Sequence, residues 1–250
     1  RSSDLGLRTV EVHLDLIAGL PGEGYRQFLA SFEMAIACRP HRLHLGFLKL
    51  LPGTELRSQA DMYRMRYLPF APYEVLATED ISAEEMLLLK GLEEAVDFYY
   101  NSRRFVHSVS ALLDACSAVD LFQDLSHSRV VNAERALFDA GLGRGIAEAL
   151  LRELLLLDFL LREPHRAPPA WLAEGSNEQV LLREIVYGTH ERLHVALPHR
   201  QGEKPGLVLR DLRLCVLSAP TKRHLGHDPD SLFFLIDHGQ PMHARVFPVR

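Results

Sequence analysis

Cysteine is scarce in this sequence, and its positions lie far apart. Cys38, Cys116 and Cys215 are the only thiols among 250 residues, an odd number with no shared spacing. Secreted domains held by disulfides need dense, paired cysteines, so that class is excluded. The sequence instead predicts reduced thiols in a cytoplasmic protein, each filling space in a core as a small apolar side chain.

Long apolar runs are also missing. A helix needs roughly 20 consecutive apolar residues to cross a bilayer, and the best candidate, residues 147–161, is interrupted by Glu148, Arg152, Glu153 and Asp158. We expect a buried helix there and no membrane partner. An excess of positive charge is missing too, because the formal net charge is −5. The composition therefore argues against a general nucleic-acid-binding protein.

The sequence has neither an initiator methionine nor a signal peptide. It passes from a short polar start at Arg1 directly into an apolar run at Val10. We therefore expect it to be cut from a longer protein. Its composition, with 47% hydrophobic and 24% charged residues, is typical of a globular protein with a sizeable core.

The first recognisable unit is a strand, a helix and a second strand. Residues 10–20 form an apolar run with β-branched residues, residues 42–51 form a second apolar run, and each run ends in a turn containing Pro-Gly. Residues 24–37 between them place four apolar side chains on one helical face: Phe28, Phe32, Ala35 and Ile36. The pattern predicts a right-handed βαβ unit with two parallel strands, both buried on both faces.

The remainder divides into two parts. Residues 61–165 are predicted to be a helical accessory region, with helices at 82–100, 105–122, 130–140 and 145–161. Ser82 and Glu85 form a capping box at the start of the helix predicted at 82–100. After a Pro-rich linker at 163–169, residues 170–250 are predicted to be a mixed α/β part, with a helix at 176–187 and strands from 191 onward.

The ends of the two strands are the first candidate site. A strand that ends in a glycine turn brings bare backbone close to a ligand, and in parallel α/β barrels ligands bind at the carboxyl ends of the strands. Gly19 and Leu20 end the first strand and Leu48 ends the second. Asp15 is a carboxylate within an apolar strand, and a buried carboxylate needs a partner.

These residues carry a family resemblance. The pair DLIAGLPGE at 15–23 and FLKLLPGT at 47–54 is similar to the fifth and sixth strands of the radical SAM partial barrel. The later segments PFAPYEVLATE at 69–79 and FYYNSRRF at 98–105 resemble a cobalamin-binding subfamily whose members carry a C-terminal domain of unknown function. The resemblance covers residues 10–110. It implies an α/β fold in which residues 1–60 supply the last strands of a partial parallel (β/α) barrel.

The resemblance implies cofactors and roles. The parent protein is expected to cleave S-adenosylmethionine reductively with a four-iron four-sulfur cluster, and cobalamin is a further candidate cofactor. The cofactor-binding residues implied in this chain are Asp15, Ile17, Gly19, Leu20, Phe47 and Leu48. Ile17, Gly19 and Leu48 would pack against the adenine. Tyr73 and Glu74 are candidates for the mouth of the substrate site, next to an aromatic cluster with Tyr67 and Phe70.

The sequence departs from the family at the cluster. The family holds its cluster with a C-x-x-x-C-x-x-C motif, and no such spacing occurs here. The cluster and any cobalamin domain are therefore expected in an upstream part of the parent, which is the predicted partner. This chain alone is expected to be inactive.

Two other functions remain open. The chain could be a non-catalytic accessory module. It could also be a zinc hydrolase, because His190-Glu191-Arg192-Leu193-His194 is an H-E-x-x-H match. Against zinc, the alternation after Leu193 is typical of a strand, which would separate the two histidines. The histidines and aspartates between His224 and His243 match no metal-site spacing, and we expect solvated loop side chains there. The Arg103-Arg104 pair could bind a phosphate or a carboxylate, but we expect it to cap the carboxyl end of the preceding helix.

Overall fold

The chain is described from a computed structural model. It covers residues 10–127, 132–163, 166, 168–173, 212–214, 217–228, 232–236 and 243–247. The chain divides into two compact units. The first contains Arg1–Arg103 and Leu113–Ala136, and the second contains Arg104–Leu112 and Leu137–Arg250.

The first unit begins with the predicted βαβ arrangement. Strand β1 (His13–Ala18), helix α1 (Tyr25–Ala37) and strand β2 (Arg42–Phe47) follow in order, and β1 and β2 pair in parallel. Helix α1 buries the four residues that its spacing predicted, Phe28, Phe32, Ala35 and Ile36. The parallel pair and the apolar face of α1 are therefore confirmed.

The expectation that both strands are buried on both faces is wrong. His13, Asp15 and Ile17 on β1 are exposed, and the two leucines between them are only half-buried. In β2 the buried positions are Leu43, Leu45 and Phe47, while His44 is exposed. Because helices cover one face of this pair within the described residues, Asp15 is a solvent-facing carboxylate and needs no buried partner.

A short helix and a hairpin follow β2. Helix α2 spans Glu55–Ser58, and strands β3 (Arg66–Tyr67) and β4 (Val75–Ala77) pair antiparallel. The loop between them contains a cis Ala71-Pro72 bond and Tyr73 at a φ of 60°. A separate antiparallel bridge pairs Glu74, the residue before β4, with Lys49, two residues beyond β2. The hairpin therefore lies beside the carboxyl ends of the parallel strands.

Helix α3 (Ala83–Ala95) begins at the predicted capping box. The Ser82 hydroxyl accepts from the Glu85 N–H, and the Glu85 carboxylate accepts from the Ser82 N–H at 2.8 Å. The helix continues as a π-helical segment, Val96–Asn101. The predicted start and the approximate end near Tyr100 are thus confirmed, with a change of helix type that spacing did not indicate.

The single helix predicted at 105–122 is wrong. Two helices occupy this region, α4 (Val106–Ala115) and α5 (Ala118–His127). The Glu33 carboxylate of α1 accepts hydrogen bonds at the start of α5 from the Ser117 hydroxyl and the Ala118 and Val119 N–H groups, at 2.9–3.0 Å. A tertiary contact therefore supplies the cap that separates the helices.

The second unit is organised around one apolar helix, α7 (Glu148–Arg162), which follows α6 (Ala133–Gly143). Asp158 of α7 is 4% exposed. It accepts from the His107 N–H at 3.1 Å and from the Ser108 N–H and hydroxyl at 2.9 and 2.6 Å. This carboxylate satisfies the first turn of α4, whose N–H groups have no partner within the helix.

The rest of the second unit contains short elements. Helices α8 (Ala170–Ala173) and α9 (Ala219–His224) and strands β5 (Leu212–Leu214), β6 (Leu232–Ile236) and β7 (His243–Phe247) are described, and the strands form an antiparallel sheet in that order. The predicted helix at 176–187 and the strand after 191 lie outside the described residues. The observed fold is mixed α/β with short strands and predominant helix.

The structure also describes two of the three cysteines and the length of the apolar helices. Cys38 is exposed, so its expected place in a core is wrong; Cys116 is partly buried, and Cys215 lies outside the described residues. Along the described ranges, no helix combines the length and apolar character that crossing a bilayer requires.

Candidate functional site

The carboxyl ends of β1 and β2 meet the hairpin and α3 around Gly19. This glycine has a φ of +88°, and a Cβ built on it would lie 3.4 Å from Met86 Cε, 3.5 Å from Val75 Cγ1 and 3.7 Å from Leu48 Cβ. The Leu48 N–H donates to Ala18 O at 2.9 Å, and Leu48 O accepts from the Val75 N–H at 2.8 Å. Gly19 and Leu48, predicted as one site, are therefore brought together.

Two other predicted residues expose apolar surface at the same place. Ile17 is 47% exposed and Leu20 is 39% exposed. Ile17 pairs with Gly46, and Asp15 with His44, in the parallel register. A glycine beside Ile17 leaves its side chain uncovered from that direction. The result is an open face with apolar side chains at the strand ends and polar ones further back.

Phe47 has a different environment from the other predicted residues. It is 9% exposed, and the Lys90 ammonium lies 4.0 Å from the centroid of its ring. The same ammonium lies 2.6 Å from Glu74 Oε1. Phe47 and Glu74, predicted for separate roles, are thus joined by a lysine, whose cation is attracted to both the ring and the carboxylate.

The aromatic cluster is assembled around Arg57. Its guanidinium lies 5.2 Å from the ring centroids of both Tyr67 and Tyr73, and it donates to Leu50 O at 3.0 Å. Phe70 is 64% exposed. Tyr67 and Tyr73 therefore stack on a cation beside the strand ends, whereas Phe70 lies at the surface.

Helix α3 and the π-helical segment after it contribute charged residues that the sequence reasoning did not single out. Lys90, Glu93 and Asp97 recur at helical spacing, which puts them on one face. Burial raises the pKa of the Glu93 carboxyl; the positive charges of Lys90 and His44 oppose that rise, and the negative charges of Asp97 and Glu74 add to it. The spacing was a signal, but their position beside β2 depends on the tertiary fold.

Asn101 was also missed as an individual residue. It is 9% exposed, and its side-chain oxygen accepts from the Leu43 N–H at 3.0 Å while its amide nitrogen donates to Leu43 O at 2.8 Å. The nitrogen also donates to Asp97 Oδ1 at 2.7 Å. No sequence spacing could reveal the contact, because 58 residues separate Asn101 from Leu43.

The other candidates do not form a site in the described part of the chain. His190, Glu191 and His194 lie outside it, and no group of three or more His, Cys, Asp or Glu residues within it could hold a metal ion. Arg103 is exposed at a φ of 59°, and its N–H donates to Tyr100 O at 3.2 Å. This geometry is typical of a helix end.

Comparison with known proteins adds one match. The family model described as "Protein of unknown function (DUF4080)" matches residues 61–205, more than half of the chain. No curated protein matches the sequence.

Proposed function

Because this chain belongs to the DUF4080 family, we propose that it is the carboxy-terminal part of a radical SAM iron–sulfur enzyme. DUF4080 is a domain found in cobalamin-binding radical SAM proteins. The family match begins after the βαβ unit, at residue 61. The proposal therefore joins two supports, the strand motifs before residue 61 and the family domain after it. Cobalamin enters the proposal through the family alone.

The observation that carries the proposal is the convergence at the strand ends. Gly19 directly after β1 and Leu48 directly after β2 lie against each other, and Ile17 and Leu20 are exposed. Exposed aliphatic side chains fit the face of a flat aromatic ring such as adenine. Gly19 is itself buried, so its part is to form the turn that ends β1 against Leu48. We assign adenine packing to Ile17 and Leu48, beside the turn formed by Gly19.

The residues of this chain do not fit the iron–sulfur cluster. Cluster iron needs several thiolates close in space. Cys38 is exposed on the segment after α1, Cys116 lies between α4 and α5, and the sequence has no C-x-x-x-C-x-x-C spacing. We therefore assign the cluster to a different part of the enzyme.

The test uses the enzyme that contains both this chain and the cluster-binding cysteines. Ile17→Asp places a charge where the adenine would pack, and we expect its affinity for S-adenosylmethionine to fall about tenfold or more, since desolvating an unpaired carboxylate is costly. Leu87→Asp is the matched control, because Leu87 is 67% exposed on α3. Equilibrium dialysis measures both affinities. Unchanged affinity in Ile17→Asp refutes the assignment.

Metal analysis distinguishes the other functions. We expect this chain, reconstituted anaerobically with iron and sulfide, to bind neither a cluster nor stoichiometric zinc. One zinc per chain would favour a hydrolase built on His190 and His194. A stoichiometric cluster would contradict the assignment of its ligands to another part of the enzyme. Binding to a cluster-bearing chain without any effect on cofactor affinity would favour a non-catalytic accessory module.

A further inference from the structure

The aromatic cluster holds Arg57 without using most of its hydrogen-bond donors. The guanidinium lies 5.2 Å from the ring centroids of both Tyr67 and Tyr73, and it is the positive charge that the ring faces attract. A guanidinium has five N–H donors in a planar fork. Within the described residues, the hydrogen bond that it makes is from Nη1 to Leu50 O at 3.0 Å. The other donors are therefore available to a ligand.

The charge of Arg57 is not neutralised by a neighbour either. In the part of the chain that the structure describes, no carboxylate forms an ion pair with it. Glu55, two residues earlier, accepts from the Gln59 amide at 3.0 Å. Glu74, next to Tyr73, is bound to the Lys90 ammonium at 2.6 Å. A half-buried guanidinium in these surroundings favours a bound oxyanion.

Leu50 fixes this cluster to the chain directly after β2. Its N–H donates to Tyr73 O at 2.9 Å, and its carbonyl oxygen accepts from Arg57. Leu50 is itself fully buried. Both of its backbone groups are therefore used to hold the cluster, only two residues away from Leu48 of the candidate adenine surface.

Tyr73 has a strained backbone. Its φ of 60° lies in the left-handed region, which a bulky side chain rarely adopts. Its N–H donates to Phe70 O at 2.8 Å, so hydrogen bonds on both sides of the residue maintain this conformation. Strain of this kind persists where the surroundings enforce it, and it is concentrated at ligand-binding sites. Here it accompanies the placement of the Tyr73 ring beside the guanidinium.

Exposed apolar side chains lie next to the cluster. Phe70 is 64% exposed and Leu51 is 50% exposed. Phe70 O accepts from the Tyr73 N–H, and Leu51 follows Leu50 in the chain, so both residues adjoin the hydrogen bond between Leu50 and Tyr73. A ligand with an apolar body would gain free energy by covering these side chains.

We propose that Arg57, held by Tyr67 and Tyr73, binds an organic anion. The carboxylate or phosphate of this ligand accepts two parallel hydrogen bonds from the guanidinium, whose planar fork matches an oxyanion in shape and charge. Its apolar body covers Phe70 and Leu51. The anion site depends on these contacts alone. Its further assignment, as the anchor for the substrate of the radical SAM enzyme, rests on the proposed function.

Binding of small probes to the 250-residue chain tests the anion site. Phenyl phosphate and benzoate each join an oxyanion to an apolar ring, and benzyl alcohol is their neutral counterpart. Ligand-observed NMR at constant ionic strength measures the dissociation constants. We expect at least one of the two anions to bind about tenfold or more tightly than benzyl alcohol, because hydrogen bonds to charged groups are the strong ones. The tighter of the two identifies the ligand as a phosphate or a carboxylate.

The first variant is Arg57→Gln, in which we expect the affinity for the bound anion to fall about tenfold or more. Arg26→Gln is the matched control, since it removes the same charge from an exposed position on α1, and its affinity should equal that of the parent chain. Two results would overturn the proposal: neither anion binds the parent chain, or the anion binds Arg57→Gln as tightly as it binds Arg26→Gln.

A second variant covers the case in which Arg57→Gln does not fold. Arg57→Lys retains a cation for both rings and a donor for Leu50 O, but its ammonium lacks the planar fork. We expect this variant to fold and to bind the anion about tenfold more weakly than the parent chain. Undiminished affinity in Arg57→Lys would contradict recognition by two parallel hydrogen bonds, and the proposal would be wrong.

The enzyme that also contains the cluster-binding cysteines distinguishes substrate from cofactor, because S-adenosylmethionine carries a carboxylate of its own. We expect Arg57→Lys to leave the affinity for S-adenosylmethionine unchanged in equilibrium dialysis. A loss of about tenfold would assign the anion site to the cofactor and would overturn its assignment to the substrate.

The anion site and the proposed function fail separately. If the probes bind through Arg57 but Ile17→Asp does not weaken the binding of S-adenosylmethionine, the anion site stands and the proposed function fails. If Ile17→Asp weakens cofactor binding but neither anion binds the parent chain, the proposed function stands and the anion site is wrong.

Discussion

Replacing Gly19 with alanine tests the turn at the end of β1. The φ of +88° lies in a region where an L-residue is strained, at a cost of about 1–2 kcal/mol. The nearest atom to the new methyl would be the flexible terminal methyl of Met86 at 3.4 Å, an ordinary contact. Crowding therefore adds little, and we expect Gly19→Ala to lower the free energy of unfolding by about 1–2 kcal/mol.

Two other glycines separate strain from crowding. Gly22 has a φ of +77° with no atom within 4 Å of a built Cβ, so Gly22→Ala should cost about as much as Gly19→Ala. At Gly46, which lacks a positive φ, the nearest atom is Leu16 O at 3.6 Å. Gly46→Ala should leave stability unchanged or raise it, because alanine has less freedom in the unfolded chain.

Urea unfolding of the four proteins provides the measurement. With a slope near 2 kcal/mol per molar urea, Gly19→Ala should shift the midpoint down by about 0.5–1 M. No shift would refute the strain argument. A loss several kcal/mol larger than that of Gly22→Ala would show that the contacts with Met86, Val75 and Leu48 are crowded, and the ordinary-contact reasoning would then be wrong.

Two carboxylates should make stability depend on pH in opposite directions. Burial raises the pKa of the Asp158 carboxyl, although its hydrogen bonds to Ser108 and His107 oppose this rise. Its contribution to the free energy of unfolding is therefore complete below about pH 3.9. That contribution declines as pH rises through the folded-state pKa, by at most about 1.4 kcal/mol per pH unit. The stability of the parent chain relative to Asp158→Asn should therefore fall with rising pH, and a difference that rises would contradict this. Burial acts to raise the pKa of Glu33, but hydrogen bonds at the start of α5 lower it overall, so Glu33→Gln should cost about 1 kcal/mol at pH 7. The cost of Glu33→Gln should shrink as pH falls from about 4.3 through the lower folded-state pKa. Thermal unfolding across pH 3–7 measures both variants, with Asp114→Asn at an exposed carboxylate as the control.

Local patterns predicted the elements that depend on neighbours in sequence. The apolar positions of α1 recur three and four residues apart, which specifies a buried helical face wherever the helix packs. Ser82 and Glu85 satisfy each other's backbone groups, so the start of α3 was readable from two residues. The turn at Gly19 likewise followed from its residue type and from the strand before it.

Long-range contacts account for the predictions that were wrong. Apolar residues between 105 and 122 continue a helical pattern, yet Glu33 caps a new helix at Ala118 from a distance of 85 residues in the chain. The burial of β1 also depended on what covers its second face. Alternation identifies the two faces of a strand, but it does not identify which faces receive a neighbour.

The sequence by itself determined the parallel βαβ unit, the glycine turn at its first strand and the capped start of α3, because each follows from backbone preference and spacing along a short segment. The tertiary structure alone decided that Lys90 joins Phe47 to Glu74 and that Asn101 bonds to both backbone groups of Leu43. Those contacts bring together residues tens of positions apart, and no local preference distinguishes them from other lysines and asparagines on polar helix faces.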